Sequence, residues 1–329
     1  MRKLLMLFTI TAIIMLAACG SDDAGDTDGA SSDGGDTYKI GATQIVEHPS
    51  LDAAYEGFKD ALTDAGLEVE YDFQSAQNDQ NNVKPISDGF VADDVDLIFA
   101  NSTPSALGAL QATSDIPIVF TSVTDAVDAG LVPSMEEPGE NITGVVDLHP
   151  EQIEATVDFI STYFEGATVG MVYNAGEQNS VTQVETVKTA AEEKGLEVVE
   201  RTVANSAEVQ QAATTLVGEA DVFYIITDNT VVSALDSVVG VTNDQDIPLI
   251  VGEPDSLAKG GFATFGIDYH TIGYRTGEMA AEILTGEKAP SDFPVEYPPE
   301  IQLFINKQGA EEQGIEWNPE WDDMAQFVE

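Results

Sequence analysis

The chain of 329 residues contains a single cysteine, Cys19. It has no disulfide framework, and no Cys pair is available for a metal or for redox cycling. Histidine is almost as scarce. His48, His149 and His270 lie too far apart for a helical metal-binding pair. Positive charge is the third shortage: 12 Lys and Arg stand against 59 Asp and Glu, a formal net charge of −47. Such a surface repels nucleic acid, which is therefore not a partner. The Gly-rich loops GxGxxG and GxxxxGK[ST] are missing as well. Glu177, Asp228 and Asp255 are candidate Ca²⁺ ligands by residue type, but the twelve-residue calcium loop is lacking. The expectation is a protein that is not an enzyme and uses no cofactor and no metal.

What is present begins with the surroundings of that cysteine. Arg2 and Lys3 open the chain, and Leu4 to Leu16 are apolar except for Thr9 and Thr11. Leu16-Ala17-Ala18-Cys19 then resembles a bacterial lipobox. The resemblance implies that residues 1–18 are a signal peptide and that Cys19 becomes a lipidated N-terminus. Its acyl chains would hold the protein on the outer face of the cytoplasmic membrane without spanning it. Residues 19–37 are acidic and have no apolar side chain larger than Ala after the cysteine. They read as a disordered tether. Roughly three hundred residues remain from Tyr38 onward, more than one core usually holds, so two domains are expected.

The remainder repeats itself. Gly41 matches Gly170, and Gly66-Leu67-Glu68-Val69 matches Gly195-Leu196-Glu197-Val198. Asp96-Leu97-Ile98-Phe99 pairs with Asp221-Val222-Phe223-Tyr224, and Ile116-Pro117-Ile118-Val119 with Ile247-Pro248-Leu249-Ile250. Asp147-Leu148-His149 and Asp268-Tyr269-His270 end the two halves. Leu51, Tyr55, Phe58 and Leu62 recur at helical spacing before Gly66, as do Val181, Val184, Val187 and Ala191 before Gly195. Leu97–Ala100, Ile116–Phe120, Val222–Ile226 and Ile247–Val251 are short, continuous apolar runs, the pattern of parallel strands covered on both faces. The fold class is therefore α/β: two doubly wound parallel-sheet domains, joined by a hinge of three crossings, with a ligand cleft between them. The expected extents are 38–146 plus 268–297 for domain 1 and 147–267 plus 298–329 for domain 2. Helix Gln152–Phe164 should then pack on domain 2 and Ile272–Leu284 on domain 1.

Ligands of such sheets bind beyond the carboxyl ends of the strands. The polar residues at those ends are the candidate site: Gln44, Glu47 and His48; Thr103; Thr121, Ser122 and Asp125; Asn174, Glu177, Asn179 and Ser180; Asp228 and Asn229; and Asp255. Thr103 is expected to cap a helix with Pro104 at its first position, and Ser180 with Gln183 to form a capping box. Helix N-termini and hydroxyls hold a carboxylate without Arg or Lys, and none of the ten basic residues beyond Lys3 falls in these loops. Carboxylates do fall there, and they suit an ammonium group. Both features together suit a zwitterion. Asp228, Asp255 or Glu177 is the expected ammonium partner. Tyr173, Phe120 and Tyr269 are candidate walls for an aromatic side chain. The Asp147/His149 and Asp268/His270 pairs are expected to mark domain crossings rather than ligand contacts.

The strings IVEHPSLDAAYEGF, IPIVFTSVTDAV, NITGV, YNAGEQNS and TDNTVVSAL resemble the tryptophan/tyrosine-type substrate-binding lipoproteins of ABC transporters. The resemblance covers Tyr38 to about Pro294. It implies a type I periplasmic-binding-protein fold, an amino-acid ligand, most simply an aromatic one, and delivery to a permease and its ATPase by a monomer. A sensor partner of a membrane receptor, or a binding protein for a nucleoside or sugar, is the alternative. The family commonly has Asp-Pro where this chain has Asp125-Ala126.

The acidic surface reads as adaptation to saline or alkaline surroundings. The melting temperature should rise from low salt to molar NaCl as the Debye length shrinks from ~30 Å to ~3 Å. A scan of thermal midpoints against NaCl checks this; a flat or falling trend would remove the saline reading.

Overall fold

A computed structural model describes residues 37–328. The expected signal peptide, the Cys19 lipidation site and nearly all of the tether lie outside the described residues.

The first half builds β1 (Tyr38–Gln44), α1 (Pro49–Asp64), β2 (Val69–Ser75), α2 (Gln80–Ala92), β3 (Leu97–Asn101), α3 (Thr103–Ala112), β4 (Ile118–Val123) and β5 (Ile142–Val146). These strands form an all-parallel sheet of order β2-β1-β3-β4-β5. The second half builds α4 (Gln152–Tyr163), β6 (Thr168–Asn174), α5 (Gln178–Lys194), β7 (Glu197–Val203), α6 (Val209–Leu216), β8 (Val222–Ile225), α7 (Asn229–Val232), α8 (Leu235–Asp244), β9 (Leu249–Val251), α9 (Asp255–Ala258) and β10 (Ala263–Gly266). After α10 (Tyr269–Leu284) come β11 (Gln302–Asn306), α11 (Lys307–Glu312), α12 (Trp321–Met324) and β12 (Gln326–Val328). The second sheet has the order β12-β11-β10-β9-β8-β6-β7, with β11 antiparallel to β10 and the other pairs parallel. The tail strands β11 and β12 had no counterpart in the repeat and were not foreseen.

The strands β3, β4 and β5 are buried at every residue, as their apolar runs required. The edge strand β2 is only partly covered. Gly66 and Gly195 follow their helices with φ of 75° and 72°, the left-handed turn that glycine takes without strain.

Three crossings link the domains. After β5 the chain enters α4, whose Ile153, Val157 and Ile160 share a core with Val169, Met171 and Tyr224 of the second sheet's domain. After β10 it returns, and Ile272, Met279 and Ile283 of α10 join Ile40, Phe58 and Val119 in the first core. Glu296 then bridges to Val145, and β11 carries the chain back.

The return of α10 depends on glycine. A Cβ on Gly57 would lie 2.1 Å from the His270 carbonyl oxygen, and one on Gly273 would lie 1.9 Å from that of Ala54. The two helices touch backbone to backbone, so a methyl group must separate them. Gly273→Ala should therefore cost about 1–3 kcal/mol or more of stability. Urea unfolding measures this; an unchanged midpoint would mean the helices can part freely.

Candidate functional site

The carboxyl ends of the parallel strands from both domains meet around a narrow cavity of about 40 Å³. That is below the roughly 300–1,000 Å³ of small-molecule pockets, so a ligand of that class needs the two domains to part. From the first domain come Val46, His48, Ser50 and Leu51 after β1, Thr103 after β3, Ser122 at the end of β4 and Thr124 just after it. From the second come Asn179 after β6, Thr227, Asp228, Asn229 and Val232 after β8, and Glu253 after β9. Asp147 and Tyr269 come from two of the crossings. No Lys or Arg lines the cavity.

Of the residues expected from sequence, the structure brings His48, Thr103, Ser122, Asn179, Asp228 and Asn229 to this cavity. Others are turned to structural work. Gln44 is buried between Asp52 (2.8 Å) and Asn101 (3.2 Å). Thr121 is wholly buried in β4, and Glu47 is exposed. Asp125 accepts the backbone N–H groups of Val127 and Asp128, each at 2.9 Å, closing a turn away from the cavity. Asn174 donates to Thr230 Oγ1 at 2.9 Å. Glu177 accepts from the N–H and hydroxyl of Thr230 and from the side chain of Asn229, at 3.0, 2.7 and 2.6 Å. It ties the α5 entry to the loop after β8, and both its oxygens are used. Ser180 is buried and bonds Asp228.

The expected caps shift as well. His48 caps α1, and Ser102, not Thr103, caps α3, its hydroxyl accepting from Ser105 N–H and donating to Ser105 Oγ at 3.0 Å. The helix α5 starts at Gln178, so Ser180 lies inside its first turn and no capping box forms there. Gln183 instead accepts from Thr227 Oγ1 at 3.0 Å. Of the three candidate aromatic walls only Tyr269 lines the cavity; Tyr173 and Phe120 belong to the cores.

Backbone geometry is unusual where the site needs it. Ser102 has φ 133° and Ser122 has φ 56°, both in the left-handed half that non-glycine residues rarely adopt. They sit at the ends of adjacent strands, where the turns aim Thr103 and Ser122 inward.

Several polar groups are held with one valence left over. His48 Nδ1 accepts from Ser50 N–H at 3.3 Å, and burial, helped by Lys259, lowers its pKa to about 3. The ring is therefore neutral with its proton on Nε2, which makes no hydrogen bond among the described residues, the nearest carboxylate oxygen being Glu253 Oε1 at 3.9 Å. Ser122 Oγ, Asn179 Oδ1 and Asp147 Oδ1 are likewise buried without partners. Asp147 Oδ2 accepts from Tyr269 Oη at 2.9 Å. Asp228 is spent by comparison: its oxygens accept the N–H groups of Asn174 and Val231, both at 2.7 Å. Burial and the neighbouring Glu177 raise its pKa nonetheless. Glu253 is also raised by burial and is held by Ser256 N–H at 3.0 Å and Asp255 N–H at 2.7 Å.

The domains are bonded to each other across the cavity mouth. Ser50 Oγ lies 2.7 Å from Glu253 Oε2 and 2.6 Å from Asp255 Oδ2. Gln178 reaches Asp128 at 2.6 Å, and Gln80 donates to the Gly176 carbonyl at 3.2 Å. The arrangement is closed. Asp255 thus serves closure rather than lining the cavity. Asp147, Glu253, Ser50, Thr124 and Thr227 line the cavity outside the candidate set that the sequence supplied. Asp147 has a signal in the sequence, its match to Asp268 at the end of the repeat, which by itself favours a domain crossing over a ligand contact.

Burial pushes the Asp147 carboxyl up to about 6, against its ordinary 3.8. A carboxyl whose folded pKa is raised contributes stability that is complete below its unfolded pKa and lost as pH rises through the folded value. The ligand-free protein should thus lose on the order of 3 kcal/mol at this one residue between pH ~4 and pH ~7. Asp147→Asn keeps an oxygen for Tyr269 and should flatten part of that slope. Thermal melts across pH check it; an identical slope in the variant would show that the carboxyl titrates elsewhere.

The model of the ABC transporter substrate binding protein family matches residues 39–326. The chain is 41% identical to a tyrosine-binding protein of Clostridioides difficile, over 93% of this chain and 90% of the relative. It superposes on an ABC domain from Streptococcus pneumonia in complex with L-Trp with a TM-score of 0.84, at 34% identity, covering 89% of this chain and all (100%) of the other. The ligand-free, open structure of a substrate binding protein with adhesive properties from Clostridium difficile is 40% identical over 89% of this chain and 99% of its own, yet the TM-score is only 0.66. The poorer fit at higher identity agrees with the closed arrangement of the two domains here. By sequence, by its two-domain type I periplasmic-binding fold and by the cleft between those domains, this chain belongs to the ABC transporter substrate-binding protein family.

Proposed function

We propose that this protein captures an amino acid, tyrosine or tryptophan, between its two domains and delivers it to the permease and ATPase of an ABC importer. One observation carries the ligand class. The cavity combines three buried carboxylates, no basic side chain, and neutral donors at His48 and Ser122 beside the N-termini of α1 and α3. A sugar or nucleoside would leave the negative charge uncompensated, whereas an amino acid brings an ammonium group for it and a carboxylate for the donors. The aromatic part rests on the relatives, one tyrosine-binding and one bound to L-Trp, and on the apolar lining of Val46, Leu51, Val232 and the Tyr269 ring.

The same reading assigns residues 38–146 with 268–297 to one domain and 147–267 with 298–329 to the other. The crossings between them are the hinge. It places a monomer on the outer face of the cytoplasmic membrane, held by lipid on Cys19. Cys19→Ser should release the protein to the medium or leave an uncleaved precursor, as fractionation and mass spectrometry would show.

Calorimetry against tyrosine, tryptophan, aliphatic amino acids, sugars and nucleosides tests the ligand. A ligand at a hundred times its Kd should also add ~2.7 kcal/mol of stability. Binding of tyrosine or tryptophan is expected. Binding of aliphatic amino acids alone would remove the aromatic part, and tight binding of a sugar or nucleoside without any amino acid would end the proposal.

A further inference from the structure

The cavity holds three buried carboxylates, and an account of their hydrogen bonds separates them. Asp228 receives two backbone N–H groups and the Ser180 hydroxyl. Glu253 receives the N–H groups of Asp255 and Ser256, and the hydroxyls of Ser50 and Ser256. Each is already surrounded by donors. Asp147 differs. Its side chain is buried, with 7% exposure, and Tyr269 Oη at 2.9 Å holds Oδ2. Its Oδ1 lines the same cavity, is buried, and has no partner among the described residues. A buried carboxylate oxygen without a donor is costly, by more than a neutral group would be. No Lys or Arg lines the cavity to offset it. The tyrosine hydroxyl does the rest of what is needed: it fixes the carboxylate plane, so that the free oxygen is presented in one direction.

Resting on the amino-acid reading above, we propose that Asp147 is the residue that receives the ligand's ammonium group, with Tyr269 as its positioning residue, and that Asp228 and Glu253 shape the site without binding that group. The ligand carboxylate then falls to the opposite kind of atom: the His48 Nε2–H, whose tautomer is set by Ser50 N–H on Nδ1, and the Ser122 hydroxyl. Every orphaned atom named here gains a partner of the right kind from one zwitterion. The ammonium group offers Asp147 a charge-assisted hydrogen bond in a site screened from water, so it is worth more than a neutral contact. Discrimination should be large, because a ligand lacking the amine leaves the buried oxygen unpaired.

The test compares L-tyrosine with hydroxyphenylpropionate, the same molecule without its amine, and L-tryptophan with indolepropionate, by calorimetry and competition. The full-length mature protein should prefer each amino acid over its deaminated counterpart by at least about hundredfold. In Asp147→Asn, which leaves an oxygen for Tyr269, that preference should shrink to under about tenfold, through loss of amino-acid affinity alone. Tyr269→Phe should show a smaller loss of the same selective kind. A thermal melt establishes that each variant is folded. At pH ~6, titrations in buffers of different ionisation enthalpy should show proton release on amino-acid binding to the native protein and less in Asp147→Asn, where only Asp228 and Glu253 remain to titrate in the cavity. An unchanged preference in Asp147→Asn, or equal weakening of both members of a pair, would overturn the assignment. So would a native protein that binds the deaminated acids as tightly as the amino acids. A native protein that binds no amino acid at all would overturn the functional reading itself, a result separable from the others because it needs no variant.

Discussion

The closed cleft is governed by the need to satisfy buried carboxylate oxygens where no basic side chain is available. Asp228, Glu177 and Glu253 meet it with backbone N–H groups and hydroxyls, and in doing so they fix the loops after β6, β8 and β9 in one geometry. Glu177 joins the entry of α5 to the short helix α7, and Asp228 joins α7 to the end of β6. These are acidic residues doing the work of caps and staples. Asp147 alone among the cavity carboxylates is left half-satisfied. A residue that raises the energy of the ligand-free state and is relieved by ligand is the pattern expected of a binding site rather than of a scaffold.

Closure draws on the same chemistry. Ser50 has one hydroxyl proton, yet its oxygen stands within 2.7 Å of Glu253 and 2.6 Å of Asp255. Further bonds between the domains, from Gln80, Gln178, Asn78 and Thr182, are polar and exposed, and Gln183 adds a buried one to Thr124 at 3.4 Å. Such contacts are individually worth about 0.5–1.5 kcal/mol. The closed state is therefore held by a few modest bonds and by whatever the cavity itself contributes, which is the balance a receptor needs if it is to open again. The helix pair α1 and α10, by contrast, is locked by backbone contact at Gly57 and Gly273. Movement belongs at the crossings and not within either domain.

The fold was legible in the sequence because its signals are local and repeated. Apolar runs of strand length, helical spacing and turn glycines recur in both halves, and burial on both faces of a parallel sheet leaves that pattern no alternative. The tail was less legible: β11 and β12 are short, lie outside the repeat, and gain strand character only from pairing with β10 and with each other. The cap positions also slipped. Ser102 at φ 133° and a histidine ring as the cap of α1 are arrangements that the packing of the whole site enforces, not local preferences.

For the site, the sequence by itself determined the neighbourhood: which loops stand at the strand ends, that they are rich in hydroxyls and carboxylates, and that they lack Lys and Arg. It therefore determined the zwitterionic character expected of a ligand. Only the tertiary structure decided which carboxylate is free. Glu177, Asp228 and Asp255 look equivalent to Asp147 in a list of acidic residues, because a side chain's type does not record how many donors reach it. That count depends on contacts between segments far apart in the chain, such as Glu177 with Thr230, Ser50 with Glu253, and Tyr269 with Asp147. Hydrogen-bond satisfaction is a property of the assembled cleft, and it left one buried oxygen facing the cavity.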